Sequence, residues 1–188
     1  MASVAAVLGW VGVGAYGIWE MSGEESGDSW ERPYTLFTAS LAIALAATVL
    51  TAWTRTAGSS RSPWRTVGLG LAVITVAASV VAWAIPLWGM LLALTCTVLM
   101  AGASRAVRPG LAVVAAAPVV GLATALAGTA AELGEKDSYG DYPAAFGLGT
   151  TTIAAGALIG VGMLVQGRSG APAADIDETR AMLGLHDG

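Results

Sequence analysis

The sequence predicts an all-α protein, a polytopic integral membrane bundle of six transmembrane helices with both termini on the cytoplasmic side. Three observations predict it. The 188 residues are 55% hydrophobic and only 12% charged, and a mean hydropathy of +0.69 lies outside the range of soluble domains. Residues 1–19, 33–54, 66–104, 109–131 and 142–167 contain no Asp, Glu, Lys or Arg, giving uncharged runs of 19, 22, 39, 23 and 26 residues. The segments between the runs separate by charge sign, acidic at 20–32 and 132–141 and cationic at 55–65 and 105–108.

A bilayer core of about 30 Å takes about 20 helical residues at 1.5 Å each, so four runs fit one crossing and the 39-residue run fits two. The predicted spans are 2–19, 34–54, 64–84, 87–104, 110–131 and 144–166. The first is read as a retained helix, because no Lys or Arg precedes its apolar stretch as a secretory signal requires. The second and third are joined by a cationic segment, 55–65, holding Arg55, Arg61 and Arg65. The third and fourth divide the long run at an expected turn, Ile85-Pro86-Leu87-Trp88-Gly89, because Arg65 and Arg105 share a side only if the chain crosses and returns. Arg105 and Arg108 make the turn before the fifth span, and Glu132 with Lys136, spaced i, i+4, extends that helix at its end.

Proline placement supports these boundaries. A missing N–H and a fixed φ suit the first turn of a helix and suit its interior badly. Pro33, Pro63, Pro86, Pro109 and Pro143 each open a span, Ser62 can cap the third, and only Pro118 falls inside a helix.

Charge sets the orientation. Segments 20–33 and 132–143 together carry −7, whereas seven of the nine basic residues fall on the opposite side or in the tail. The positive-inside rule makes that side the cytoplasm. The expected division is a transmembrane domain over 1–166 and a flexible cytoplasmic tail over 167–188, located in a bacterial inner (cytoplasmic) membrane. One Lys against eight Arg, with abundant Ala and Gly, fits a GC-rich bacterial genome. Trp19, Trp30, Trp83, Trp88, Tyr139 and Tyr142 fall near the expected outer boundary. Trp10 sits mid-span, where its indole N–H needs a partner inside the bundle.

Within lipid, helices associate through close packing of small residues. Such ridges occur at Ser40, Ala44, Thr48 and Ala52; at Gly89, Ala93, Thr97 and Ala101; at Ala117, Gly121, Ala125 and Thr129; and at Gly156 and Gly160. They predict intramolecular packing first, and a further contact with a membrane-protein partner or a second copy of the chain next.

The spans carry no charged residue in their interiors, and the single histidine, His186, lies at the tail. Proton relays need an intramembrane carboxylate or histidine, metalloenzymes a His and carboxylate cluster, and serine or cysteine nucleophiles an adjacent base. None of these can be assembled within the spans, so no enzyme, metal or cofactor is expected, and no nucleic-acid partner. Cys96 reads as a small packed residue.

Three features remain as candidates. Glu24, Glu25, Asp28, Trp30, Glu31, Asp137, Tyr139, Asp141 and Tyr142 interleave carboxylates with aromatic rings in the outer loops, a mixture that suits a cationic ligand or partner. The plainer reading of the same loops is that they orient the chain and stay hydrated. Pro118 removes a hydrogen bond to the Val114 carbonyl and is expected to kink the fifth helix, freeing a carbonyl beside a cavity or only adjusting packing. In the tail, residues 175–185 form either a short partner-binding helix or a disordered end.

The expected function is that of a small non-catalytic accessory or interaction subunit of a membrane complex. A small-solute transport component, similar in size and topology to the six-helix capture subunits of vitamin importers, is the alternative; its ligand would be held by Thr and Ser hydroxyls, Trp10 and the Pro118 kink. An outer-face lipid-modifying enzyme ranks below both.

Overall fold

A computed structural model describes residues 1–22, 31–56, 63–81, 84–132 and 142–167, with backbone alone for 31–33, 65, 131, 132, 142 and 143. Among the described residues six α-helices form: α1 Ala2–Met21, α2 Glu31–Arg55, α3 Pro63–Ala77 prolonged by a 3₁₀ turn at Ala78–Val81, α4 Ile85–Ala101, α5 Arg108–Glu132 and α6 Tyr142–Gln166. There is no strand among the described residues. Four helices are long and apolar enough to cross a membrane, over Ala2–Met21, Tyr34–Arg55, Arg108–Ala130 and Ala144–Gln166, and two shorter apolar ones complete the set. All six turn large apolar side chains outward, among them Leu8, Leu36, Val73, Met90, Leu126 and Ile159. An outer surface of that kind points to an apolar surrounding rather than water.

Prolines act where their chemistry allows. Pro63 starts α3, Pro86, Pro109 and Pro143 stand second in their helices, and Pro33 stands third in α2. First-turn N–H groups have no intrahelical acceptor, so a residue without one costs nothing there.

The long uncharged run does hold two helices, but the break is not where the sequence places it. Ile85 to Gly89, expected as the turn, are the opening residues of α4, and the non-helical residue is Ala84 at φ −85°, ψ 65°. Pro86 marks a helix start rather than a loop, which moves the boundary toward the N-terminus. Trp88, expected at an interface, is fully buried. The two elements are short by residue number, but a 3₁₀ segment rises about 2 Å per residue against 1.5 Å. Fifteen α-helical and four 3₁₀ residues therefore span about 30 Å, and the 17 residues of α4 about 25 Å.

The helices are packed in a ring that follows chain order. Each contacts the next, and α6 closes on α1. α2 also reaches α4 and α6 across the ring, and half of its apolar span is buried, the largest share among the long helices. Neighbours run antiparallel: Gly9 and Gly12 of α1 meet Ala44 and Ser40 of α2, and Gly110, Gly128 of α5 meet Leu164, Ala145 of α6. All chain connections therefore alternate between the two ends of the bundle.

Glycine makes the tightest seams. A methyl group at Gly9 would lie 2.6 Å from the Ala44 nitrogen, one at Gly17 2.7 Å from the Gly147 carbonyl, and one at Gly156 2.7 Å from the Ala117 methyl. The α2, α5 and α6 ridges read from the sequence thus face neighbours inside the chain. The α4 ridge divides: Gly89 is buried against Pro118, while Thr97 and Ala101 are exposed.

Two glycines on one helix separate packing from propensity. A methyl at Gly160 would sit 2.5 Å from Val114 Cγ2 and 2.9 Å from the Val114 nitrogen, whereas one at Gly162 meets nothing within 4 Å. Gly160→Ala is expected to cost about 1–3 kcal/mol through overpacking, and Gly162→Ala to stabilise by up to about 1 kcal/mol through helix propensity. Unfolding of both variants in one detergent checks the opposite signs.

Candidate functional site

The interior of the bundle is polar in places, and its buried hydroxyls are bonded internally. Six threonines and one serine are buried among the described residues. Thr51, Thr56, Thr75, Ser79, Thr95 and Thr150 each donate to a carbonyl one turn back on their own helix. That bond hides a hydroxyl from its surroundings without another chain segment. Thr75 and Thr95 also join α3 to α4 at 3.0 Å. The seventh, Thr48, accepts the Trp10 indole N–H at 2.8 Å. Trp10 thus has the interior partner its sequence position demands, on a helix 38 residues further along.

Pro118 is buried, and its ring packs on α4, where a methyl at Gly89 would lie 3.0 Å from the proline Cβ. α5 remains one helix from Arg108 to Glu132 around it. The ring fills a notch left by a missing side chain, so packing accounts for it. Cys96 is fully buried. Among the described residues, no group of three His, Cys, Asp or Glu side chains is placed to hold a metal.

The acidic and aromatic loop candidates are mostly beyond description. Glu24, Glu25, Asp28, Trp30, Asp137, Tyr139 and Asp141 lie outside the described residues, as do Ser62, Trp83, Lys136 and the tail from 168 onward. Glu31 and Tyr142 are placed by backbone only, at the first positions of α2 and α6. What is visible at that end is an aromatic cluster the sequence reading did not assemble. Tyr16 stacks on Phe37 with ring centroids 4.3 Å apart, Phe146 meets Phe37 edge-on at 6.1 Å, and Trp19 lies 5.6 Å from Tyr16. The Tyr16 hydroxyl donates to the Glu20 carboxylate. The i, i+4 spacing of Tyr16 and Glu20 was legible; the convergence of α1, α2 and α6 was not.

The opposite end is cationic. Arg55 closes α2, Arg65 lies in the first turn of α3, and Arg105 and Arg108 flank the α4–α5 turn. Arg108 Nε donates to the Ala103 carbonyl at 3.1 Å, tying that turn. Gly167 brings α6 back to the same place, since a methyl there would lie 2.6 Å from the Ala106 carbonyl. The acidic residues of the described helices, Glu20, Glu31 and Glu132, all have backbone positions at the other end.

Two grooves open along α6. The larger, about 480 Å³, lies against α5 between Ala116, Val120, Thr152 and Gly156. The smaller, about 270 Å³, lies against α1 between Val11, Ala15, Ile18 and Leu158. Thr151 and Ala155 line both. Ala15, Ala116, Val120 and Ala155 are exposed, so both grooves face away from the bundle centre. No charge lines them, and the hydroxyls of Thr151 and Thr152 already donate to Gly147 and Leu148 carbonyls. Such a surface offers shape and apolar contact, without a group suited to acid–base or nucleophilic work. Alanines and glycines are so frequent here that no sequence signal singled these positions out.

The Trp10–Thr48 pair can be tested directly. Thr48→Val leaves the indole N–H buried without an acceptor and is expected to cost about 1–3 kcal/mol. Trp10→Phe with Thr48→Val removes both partners, and the double variant is expected to lose less than the two single losses combined. Thermal unfolding of the four-member cycle in one detergent reads the coupling.

Comparison of the chain with protein-family models, with curated proteins and with solved structures gives no match.

Proposed function

We propose that the chain is a multi-pass protein of the bacterial cytoplasmic membrane, with six spans and both termini in the cytoplasm. Its role is that of a non-catalytic accessory subunit, which receives a partner's transmembrane helix on the face made by α1, α6 and α5. One observation carries the reading. The buried hydroxyls are bonded within the bundle, while the small-residue grooves beside Thr151 and Ala155 open outward. In lipid, a groove floored by small residues lets a second helix approach closely, and dispersion contacts then supply the affinity.

The orientation follows from charge. Antiparallel neighbours gather Arg55, Arg105 and Arg108 at one end and Glu20, Glu31 and Glu132 at the other. Cytoplasmic placement of the cationic end agrees with the positive-inside rule and sets α1 to enter the membrane from inside. A solute-binding role has less to rest on. Trp10 is held by Thr48, the Pro118 ring fills the notch at Gly89, and the interior hydroxyls have acceptors. The lipid-modifying alternative gains no acid and base pair from the described residues.

Ala116 and Ala155 are exposed groove residues, so larger side chains there fill the groove without entering the interior. Purification in mild detergent is expected to retain a stoichiometric membrane partner. Ala155→Phe and Ala116→Phe are expected to lose it at least tenfold while melting within about 2 °C of the parent, as surface substitutions do. A partner-free, fully stable parent overturns the accessory role. Reporter fusions test insertion separately: cytoplasmic activity after Gly188 and external activity within 133–140 are expected, and the reverse pattern overturns the orientation.

A further inference from the structure

The cationic end holds one group that the packing leaves unexplained. Arg55 is the last residue of α2, and its Nη1 is buried with no hydrogen-bond partner among the described residues. Buried polar nitrogens are nearly always bonded, and one that is not costs its full desolvation penalty, more for a charged group. An arginine at the end of an apolar helical stretch can normally swing outward into water. Here the Arg55 side chain is only part-buried, yet its Nη1 is covered, so one side of the guanidinium is held against protein while the rest stays within reach of the surroundings.

Internal partners do not relieve it. Glu20, and by their helix positions Glu31 and Glu132, belong to the far end of the bundle. The α2 C-terminal carbonyls stabilise a cation by their dipole, but they point along the helix. The neighbours in charge are cations: Arg105 and Arg108 are exposed at the same end, and Arg108 is turned toward Ala103. Guanidinium nitrogens held in a fixed fork, near further positive charge and at the edge of an apolar surface, match a phosphate group, whose oxygens accept two parallel N–H bonds.

We infer that Arg55 is a phosphate-binding residue, and that the phosphate is the headgroup of an anionic phospholipid seated at the cationic end of the bundle. This rests on the proposed membrane insertion but not on the accessory role. Insertion places the end of the Tyr34–Arg55 span at headgroup depth, where lipid phosphate is the most concentrated anion. The acyl chains of such a lipid lie along the apolar outer surface, so headgroup and chain contacts add.

The full chain is purified in a maltoside detergent, which carries no phosphate, and melted with added phosphatidylglycerol, phosphatidylcholine or inorganic phosphate. Failure to need any detergent defeats the membrane reading before this comparison begins. With phosphatidylglycerol the parent is expected to gain about 3 °C or more. Arg55→Gln is expected to lose that gain, Arg55→Lys to keep part of it, and Arg105→Gln, at an exposed position, to keep most. An equal gain from millimolar inorganic phosphate reassigns the site to a soluble anion and overturns the lipid source. Equal losses in Arg55→Gln and Arg105→Gln reveal general attraction and overturn the site. No gain in the parent overturns it as well, including the case in which neutralising Asp175, Asp177 and Glu178 restores a gain and assigns Arg55 to the chain's own tail. If Arg55→Gln does not fold, native mass spectrometry of the parent decides: retained phosphatidylglycerol in preference to phosphatidylcholine is expected, and none retained overturns the inference.

Discussion

The structure depends on how closely α6 lets α1 and α5 approach. α6 carries glycines at 147, 149, 156, 160 and 162, and all but the last face a neighbouring backbone or methyl at less than van der Waals distance from where a Cβ would stand. Against alanine, five glycines in a helix cost about 4–5 kcal/mol of propensity. Closer backbones recover this only through dispersion, at about 0.1–0.2 kcal/mol per heavy-atom pair. On the order of thirty extra contacts are therefore needed to offset the glycines. Two seams running the length of one helix supply contacts on that scale, which a single crossing point does not. The same seams fix where the outer grooves lie, because a groove is what remains when neighbouring helices approach over residues too small to fill the surface between them.

The hydroxyls fit the same economy of space. A threonine that donates to the carbonyl one turn back presents a nearly apolar methyl face to its neighbours, so Thr51, Thr95 and Thr150 pack like valines at little polar cost. Buried side-chain bonds join Trp10 to Thr48 and Thr75 to Thr95, and the part-buried contact of Thr124 with Thr152 is long at 3.4 Å. Shape, more than polar pairing, specifies this bundle.

Much of the helix layout was legible because charge is sparse. Each uncharged run is bounded by groups that are costly to place in an apolar surrounding, so the count of six helices follows from where those groups stand. Even the division of the 39-residue run was forced by Arg65 and Arg105 sharing an end. Its exact location was not, since Ile85, Leu87 and Trp88 are as apolar as the helices they were thought to separate, and Pro86 is equally at home in a turn or a first helical turn. Trp88 shows the limit most clearly: near a boundary by position, it is the fourth residue of α4 and fully buried. The ridges on α2, α5 and α6 were visible, but which helix each one met depended on three-dimensional order. The candidate site was the least legible part. Thr151 and Ala155 resemble dozens of other small residues in the chain, and what distinguishes them is lying between two seams.

Ring order in the sequence of the chain has an electrostatic consequence. When successive helices are adjacent and antiparallel, every second connection reaches the same end, so a separation of charge between segments of the sequence becomes a polarity along the bundle axis. Arg55, Arg65, Arg105 and Arg108 are spread over 54 residues of sequence yet share an end, with no described carboxylate among them. Mutual repulsion is tolerable for the exposed members, where water and salt screen it within about 8–10 Å. It is not equally tolerable for a guanidinium on the helix that leans inward. α2 is the most buried of the long helices, and its terminal cation is part-buried with Nη1 covered. A bundle that closes its centre with one of its own helices therefore creates, at the end of that helix, a positive charge whose counterpart must come from outside the packed core.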